Sequence, residues 1–385
     1  MSSGSRIYAD YNATAPLRPE AKAAMVAALG LTGNPSSIHA EGRKARALVE
    51  GARETVAEAI GACRDDIAFV SGGTEAVQAP LKGALWTIER GQIVASAIEH
   101  DSVCALCNTP QAWTAGDNGV VNLIWLEAAV EALTADGIRP VVSLMLVNNE
   151  TGVIQPVAEA AEIVHKAGGL IHCDAIQALG KIPVSIIDLD VDYLSLSAHK
   201  IGGPQGTGAF YVKPGAPFRA AQTGGGQEFG RRAGTENVAG IAGFAVAVAA
   251  ATRGIGIYQS LGEHRDRMEE KLNAAAPSLQ IHGAGAPRVA GVSCFGVEGL
   301  PSETQIMGLD LAGFAVSVGS ACSSGKVKPS RVLTAMGLDD TAARSAIRAS
   351  FGWASVWQEF DALAEAWIKM AARARPQLVN VDAHV

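Results

Sequence analysis

Six short apolar runs recur through the first two thirds of the chain, and they constrain its fold more than any other feature. Each run is rich in Val, Ile and Leu and lacks strict alternation with polar residues. Such runs are typical of strands buried on both faces, as in a parallel sheet covered by helices. The predicted strands are Ile67 to Val70, Ile93 to Ala97, Val141 to Val147, Leu170 to Cys173, Val191 to Leu196 and Ala209 to Val212.

Helical patterns lie before and between these strands. The segment Pro19 to Leu29 has proline in its first turn and Gly30 after its end, as helices often do. Val157 to Ala167 is a further helical stretch between two predicted strands. Strands that alternate with helices in this way predict an α/β fold.

The pattern changes after about Gly254. A charged helix (Ser260 to Ala275) is followed by a strand (Val289 to Phe295), and a last helix runs from Gln358 to about Arg373. A chain of 385 residues is long enough for two or three domains of about 150 residues each. We therefore predict a large α/β domain over residues 16–253 and a smaller α+β domain formed by residues 1–15 and 254–385.

Composition excludes several classes of protein. Hydrophobic residues make up 48% of the chain, which argues against intrinsic disorder. A net charge of −7 speaks against binding to nucleic acid, because phosphate neutralisation needs a basic surface. The most apolar window, Val238 to Thr252, is short and alanine-rich, so it predicts a buried helix rather than a membrane span. Met1 to Asp10 does not resemble a secretory leader, and we expect a cytoplasmic protein that binds no membrane.

Several familiar motifs are absent. No G-x-G-x-x-G follows a strand, and neither HExxH nor G-x-S-x-G occurs. Six cysteines in a chain of this length do not make a disulfide scaffold. Cys104 and Cys107 form a lone C-x-x-C without a second pair or histidines at ligand spacing, so we expect no metal site.

The most informative motif, Ser195-Leu-Ser-Ala-His-Lys200, closes an apolar strand. In α/β proteins, ligands bind beyond the carboxyl ends of the strands, where Lys200 would lie. A partly buried lysine can lose its proton and form a Schiff base with an aldehyde, and Ser197 and His199 offer donors suited to a phosphate. A solvated loop lysine is the alternative from this segment alone.

Two further features favour pyridoxal phosphate as the ligand. Asp174 ends the strand before Lys200, and this cofactor needs a carboxylate on its pyridine nitrogen as well as a Schiff-base lysine. Gln177 follows three residues later, in reach of the same site. The segment Ser71-Gly-Gly-Thr-Glu75 follows a strand and begins a helix, whose N-terminus is a natural phosphate site.

Taken in order, these and other motifs resemble the cysteine desulfurases of the nitrogen-fixation and iron–sulfur-cluster type, within the class V aminotransferase superfamily. The resemblance runs from about Tyr8 to Ala371. The motifs that carry it are Tyr8-Ala-Asp-Tyr-Asn-Ala-Thr14, Asn34-Pro-Ser-Ser-Ile-His39, Ser71-Gly-Gly-Thr-Glu75, Glu99-His100, Asn148-Asn-Glu-Thr-Gly152, His172-Cys-Asp-Ala-Ile-Gln177, Ser195-Leu-Ser-Ala-His-Lys200, Gly224-Gly-Gly-Gln-Glu228, Arg232-Ala-Gly-Thr-Glu236 and Gly319-Ser-Ala-Cys-Ser-Ser324.

The resemblance implies a fold and a set of roles. The fold would be the pyridoxal-phosphate-dependent transferase fold of type I, with a mainly parallel central sheet sandwiched by helices in the cofactor-binding large domain. Lys200 would hold pyridoxal 5'-phosphate covalently, and His100 would stack on its ring and move protons. The other implied cofactor contacts are Gly73, Thr74, Asn149, Asp174, Gln177, Ser197 and His199, with Thr235 supplied by the other subunit of a homodimer. Arg348 and Asn12 would bind the substrate.

Cys322 determines the predicted reaction. It lies in a loop of small residues, Gly319 to Gly325, that the resemblance places in the small domain, and two lysines follow. Positive charge favours the thiolate, which is the reactive form of cysteine. The resemblance implies that Cys322 takes sulfur from L-cysteine as a persulfide, leaving L-alanine, and passes it to an acceptor or iron–sulfur scaffold protein. A selenocysteine lyase and a non-catalytic assembly scaffold of the same fold are the alternatives.

Overall fold

A six-stranded sheet forms the centre of the larger part of the molecule. The computed structural model describes residues 6–107, 113–319 and 329–380. In chain order, the strands of the described residues are β1 (Ile7–Tyr8), β2 (Ile67–Val70), β3 (Gly91–Ala95), β4 (Arg139–Met145), β5 (Leu170–Asp174), β6 (Tyr193–Ser197), β7 (Gly208–Val212), β8 (Gln280–Ile281), β9 (Val292–Gly296), β10 (Phe314–Ala315) and β11 (Ala346–Ser350).

Helices surround this sheet and form much of the C-terminal part. In chain order, they are α1 (Pro19–Leu29), α2 (Ala40–Ile60), α3 (Gly73–Leu85), α4 (Asp101–Cys104), α5 (Leu123–Ala135), α6 (Val157–Lys166), α7 (Ile186–Leu189), α8 (Val238–Arg253), α9 (Ile255–Ala275), α10 (Ser302–Leu311), α11 (Arg331–Ala335), α12 (Asp340–Ala343) and α13 (Trp357–Ala374). The strands β2 and β4 to β7 are buried along nearly their whole length, which explains their apolar, non-alternating sequences.

The central sheet has the order β2-β7-β6-β5-β4-β3. The neighbours β3, β4, β5 and β6 are parallel, so their carboxyl ends meet at one edge. The strands β2 and β7 run antiparallel to their neighbours. Three of the five neighbouring pairs are therefore parallel. The fold is therefore the predicted α/β fold, with a mixed, mainly parallel central sheet covered by helices.

A second sheet, β11-β9-β8, is antiparallel and packs with α9 and α10. Trp367 of α13 lies edge-on to Phe295 of β9, with ring centroids 6.0 Å apart. The N-terminal segment joins the two sheets, because Tyr11 N donates to Ser350 O (3.1 Å) at the end of β11 and Ala15 N donates to His199 O (2.8 Å) beyond β6. This segment therefore lies between the strand that carries Arg348 and the turn that carries Lys200. The division of the chain at residues 16 and 253 stays a prediction.

The predicted apolar helix at 238–252 is confirmed as α8, which is largely buried and packs against α1 and α2. Among the described residues, no single helix has both the length and the apolar composition that crossing a membrane requires. Only α8 and α9 taken together meet that test, and they are bent by 61° where they join.

Candidate active site

A cavity of about 370 Å³ lies at the edge where the parallel strands end. The turns that follow β3, β4, β5 and β6 all contribute to its wall, together with the start of α3, β11 and the N-terminal segment. Eleven of the thirteen predicted site residues line it: Asn12, Gly73, Thr74, His100, Asn149, Asp174, Gln177, Ser197, His199, Lys200 and Arg348.

Lys200 lies in a short 3-10 turn directly after β6. Its Nζ donates to the main-chain oxygens of Asn12 (2.6 Å) and Ala13 (2.8 Å). Burial, together with the positive charge of Arg348, lowers the pKa of the Lys200 amine to about 8. A neutral amine, the form that attacks an aldehyde, is therefore accessible near neutral pH.

Asp174 is the last residue of β5 and is buried at the base of the cavity. One of its carboxylate oxygens accepts a hydrogen bond from Ile176 N (2.9 Å). Burial raises the pKa of this carboxyl, whereas the Ile176 amide and the nearby His100 and Lys200 lower it. A buried carboxylate that faces positive partners suits a protonated pyridine nitrogen.

The start of α3 provides an anion site beside Lys200. The main chain of Gly73 is closely approached, because a Cβ there would lie 2.8 Å from Ile176 Cδ1. The Ser197 hydroxyl is buried and has no hydrogen-bond partner among the described residues. Burial and the charge of Lys200 lower the pKa of His199 to about 4, so this imidazole is neutral. A helix N-terminus, a spare hydroxyl and a neutral imidazole together fit a phosphate group.

His100 caps the short helix α4 and lines the cavity. Its Nδ1 accepts a hydrogen bond from Ser102 N (3.1 Å) and lies 2.8 Å from Ser102 Oγ. Because Nδ1 acts as the acceptor, the proton of the neutral ring is held at Nε2. This histidine is thus oriented by its own helix turn.

Arg348 lies in the middle of β11, and its side chain is 5% exposed. Its NH2 group donates to Asp10 Oδ1 (2.6 Å) and its NH1 group to the main-chain oxygen of Asn149 (3.0 Å). Its Nε is buried and has no partner in the part of the chain that the structure describes. One edge of the guanidinium therefore has an unused donor, which suits a carboxylate.

The cavity wall also contains residues that were not predicted as site residues, among them Glu99, Glu150 and Arg331. Arg331 donates to Asp101 Oδ1 (2.8 Å) and to the main-chain oxygen of Glu99. Burial raises the pKa of Glu99 to about 8. Arg331 follows Glu99 by more than 200 residues, so no local pattern indicates this contact.

Two predicted residues are not among those that line this cavity. Thr235 lines a second cavity with Ser71, Arg232 and Glu236. Its loop is nevertheless tied to the start of α3, because Arg232 Nε donates to Glu75 Oε1 (3.0 Å). Cys322 lies outside the described residues; Gly319, which precedes it in the same motif, lines the cavity.

Cys104 and Cys107 are both half-buried. Cys104 Sγ donates to the main-chain oxygen of Glu99 (3.5 Å), and Cys107 Sγ donates to that of Val103 (3.8 Å). Burial raises the pKa of Cys104 to about 12, so this thiol is not activated.

Comparison with known proteins identifies the class. The aminotransferase class-V family model matches residues 7–363. A cysteine desulfurase of Cereibacter sphaeroides is 41% identical over 371 residues, which is 94% of each chain. The structure of a NifS-like protein from Rickettsia africae superposes with a TM-score of 0.84 at 31% identity and covers 95% of this chain and 99% of that one. The structure of SspA in complex with cysteine has a TM-score of 0.76 at 28% identity, covering 90% of this chain and 98% of that one.

The chain is a class V aminotransferase and belongs, within that family, to the cysteine desulfurases. It is an enzyme that depends on pyridoxal 5'-phosphate. The cavity fits this cofactor, because a buried carboxylate, a lysine of lowered pKa and an anion site with an unpaired hydroxyl are brought together in it.

Proposed function

We propose that this protein removes sulfur from L-cysteine, releases L-alanine and holds the sulfur on Cys322 as a persulfide. The observation that carries this proposal is the meeting of Lys200, Asp174 and Arg348 in one cavity, although they lie on three different strands or turns. Arg348 is placed to bind the carboxylate of an amino acid beside the lysine that holds the cofactor.

The cofactor, when bound, withdraws electrons from the α-carbon of the substrate. Lys200 would hold it, Asp174 would contact its pyridine nitrogen, and Gly73, Thr74, Ser197 and His199 would receive its phosphate. Asn149 and Gln177 would contact the oxygen on its ring. The resemblance of each motif supports these roles, and so does the presence of each residue in the cavity wall.

Arg348 and Asn12 orient the substrate. Arg348 is held by Asp10 and by the Asn149 carbonyl, so its free Nε edge is fixed before the substrate arrives. Asn12 Nδ2 donates to the same Asn149 carbonyl (3.0 Å). The substrate carboxylate is therefore bound by a guanidinium that loses little freedom on binding.

Lys200 and His100 move protons. With its lowered pKa, the Lys200 amine can take the proton from the α-carbon of the substrate near neutral pH. His100 presents its Nε2 proton, because Ser102 occupies Nδ1. As the resemblance of its motif implies, it would stack on the ring and exchange a proton with the substrate thiol.

Cys322 is the proposed sulfur acceptor. Its thiolate attacks the substrate sulfur, so an S–S bond forms as the bond between that sulfur and the β-carbon breaks. The electron pair of the broken bond stays with the carbon, which takes up a proton and becomes the methyl group of alanine. Sulfur is oxidised as carbon is reduced, and no external oxidant is required.

We also propose an oligomeric state, a sulfur acceptor and a cellular location for the enzyme. Thr235 lines a different cavity from Lys200, which supports a homodimer in which it completes the partner's phosphate site. The resemblance supports transfer of the persulfide sulfur to an acceptor or scaffold protein for iron–sulfur cluster assembly. We propose a cytoplasmic location.

The test separates substrate activation from sulfur transfer. The enzyme is incubated with L-cysteine in D2O, and alanine, sulfide and deuterium at the α-carbon of cysteine are measured. Cys322→Ser is expected to exchange the α-proton but to form no alanine, whereas Lys200→Ala is expected to do neither. Cys63→Ser is the matched control, because Cys63 is an exposed thiol outside the cavity, and it is expected to behave as the parent enzyme.

Mass spectrometry then locates the sulfur. An added sulfur atom on the peptide that contains Cys322, lost on reduction, is expected after one turnover without a reductant. Alanine formation by Cys322→Ser at the parental rate would overturn the role of this thiol.

A further inference from the structure

Lys181 is a buried lysine next to the active site that the proposed function does not use. It follows Gln177 by four residues in the turn after β5 and is 6% exposed. Its Nζ donates to Gln177 Oε1 (2.6 Å) and to Asn12 Oδ1 (2.6 Å). Two residues of the cavity wall therefore share one lysine as their hydrogen-bond donor.

This contact determines which way both side-chain amides face. A lysine has at least two N–H donors whether it is charged or neutral, and here both point at amide oxygens. The amide nitrogens must then face the other way. Asn12 Nδ2 donates to the main-chain oxygen of Asn149 (3.0 Å), and Gln177 Nε2 donates to that of Asn12 (2.9 Å).

The same network receives the Lys200 amine. The main-chain oxygen of Asn12 accepts from both Gln177 Nε2 (2.9 Å) and Lys200 Nζ (2.6 Å). Asn12 N donates to Ser350 Oγ (3.0 Å), so each polar group of Asn12 has at least one hydrogen-bond partner. A change at Lys181 is thereby transmitted to the carbonyl that holds Lys200.

Burial of this lysine is costly. Burial lowers its pKa well below the usual value, and the positive charges of Lys200 and Arg348 lower it further. Its two hydrogen-bond partners within the described ranges are uncharged amides, not carboxylates. An apolar side chain of similar length would avoid that cost, so the contribution of this lysine lies in the orientation of its partners.

We propose that Lys181 is a positioning residue, which orients the amides of Gln177 and Asn12 and so fixes the Asn12 carbonyl that receives the Lys200 amine. The inference rests on the proposed contact between Gln177 and the ring oxygen of the cofactor. A donor at that oxygen draws electron density from it and lowers the pKa of the lysine-linked group beside it.

The experiment compares three variants as holoenzymes. Lys181→Met keeps the length of the side chain and removes its donors. Lys181→Arg keeps donors. A third cavity, of about 310 Å³, is lined by Lys181 and leaves space for the longer side chain. Lys82→Met is the control, because Lys82 Nζ also donates to a glutamine four residues earlier (Gln78 Oε1, 2.9 Å) and does not line the active-site cavity.

The two readouts are the dissociation constant of pyridoxal phosphate and the pH midpoint of its visible absorbance band when bound. Lys181→Met is expected to weaken binding roughly tenfold, because two buried amide oxygens lose their donor. It is also expected to raise the pH midpoint by about half a unit or more, since Gln177 no longer presents its N–H group. Lys181→Arg is expected to restore most of both values.

Circular dichroism and thermal unfolding confirm that each variant is folded. Lys82→Met is expected to keep the parental midpoint and affinity. If Lys181→Met also keeps both and only lowers the unfolding temperature, the positioning role is wrong. If the parent protein itself fails to bind pyridoxal phosphate at Lys200, the proposed function fails instead, so the two failures are distinguishable.

Discussion

The Lys200 amine donates a hydrogen bond of 2.6 Å to the main-chain oxygen of Asn12, a residue 188 positions earlier in the chain. This contact joins the turn after β6 to the N-terminal segment, which in turn is held by the end of β11. Contacts with the N-terminal segment therefore fix Lys200 and Arg348 relative to each other. The position of the reactive amine depends on parts of the chain that are far apart in sequence.

The lowered pKa of Lys200 predicts the pH dependence of cofactor attachment. Only the neutral amine attacks the aldehyde, so the rate rises about tenfold per pH unit below the pKa and levels off above it. With the pKa lowered to about 8, the plateau is expected to begin near pH 8. Stopped-flow absorbance of the cofactor-free protein mixed with pyridoxal phosphate measures this profile.

Arg348 supplies the control for that profile, because its positive charge is a cause of the lowered pKa. Arg348→Met is expected to move the plateau to higher pH. Arg344→Met, at an arginine that forms an exposed ion pair with Asp340 (3.9 Å), is expected to leave it in place. A parental rate that still rises steeply up to pH 10 would show that the pKa of Lys200 is not lowered.

Replacement of Arg348 by lysine tests the substrate carboxylate site. The guanidinium edge that carries Nε can form two parallel hydrogen bonds, whereas a lysine forms a single point contact. Arg348→Lys is expected to raise the KM for L-cysteine roughly tenfold or more, with a smaller change in kcat. Steady-state alanine formation measures both constants, with Arg344→Lys as control. An unchanged KM would remove Arg348 from the substrate site.

The sequence was sufficient to predict Lys200, Asp174 and Ser197 because each ends or follows an apolar strand. In a parallel sheet, such positions meet at one edge, and the structure places them there. The direction of β2 and β7 could not be predicted, since a strand buried on both faces has the same apolar sequence whether it runs parallel or antiparallel.

Contacts between distant segments could not be predicted either. Lys181 and its partner Asn12 are 169 residues apart, and nothing in the local pattern around Lys181 distinguishes a positioning residue from a turn lysine. The one available signal was its spacing of four from Gln177, which places two side chains on the same side of a helical turn. The role proposed for Thr235 requires a second copy of the chain, which no pattern within one chain can indicate.

A buried ion pair is expected to dominate the stability of the loop before α8. Arg53 and Glu228 form two hydrogen bonds, and both side chains are 2% exposed. Glu228→Gln removes the buried counter-charge of the guanidinium and leaves it only the partly exposed Glu50 (3.4 Å), so it is expected to cost about 3 kcal/mol of the free energy of unfolding. Urea denaturation followed by circular dichroism measures this loss.

Two further variants test whether the lost stability of Glu228→Gln comes from the buried, unpaired charge. The double variant Arg53→Met/Glu228→Gln is expected to be more stable than Glu228→Gln alone, because no unpaired charge is buried. Lys213→Met, which breaks the exposed pair of Lys213 with Asp190 (2.6 Å), is expected to cost about 1 kcal/mol or less. Equal losses at the buried and the exposed pair would contradict this account.

Mixed dimers test whether Thr235 completes the site of the partner subunit. Lys200→Ala removes a site from its own chain, whereas Thr235→Val is expected to damage the site of the other chain. In a dimer that contains one chain of each variant, one site carries both substitutions and the other carries neither. Two weakly active variants are therefore expected to regain up to half of the parental activity when their subunits are exchanged.

The variants are purified with different affinity tags, exchanged under mild denaturant, and isolated as mixed dimers by two successive tags. Each variant exchanged with itself is the control and is expected to stay weakly active. Mixed dimers that remain as inactive as the controls would place Thr235 at the site of its own chain. A parental protein that elutes as a monomer at working concentration would reject the dimer altogether, since the Thr235 and Lys200 cavities are separate within one chain.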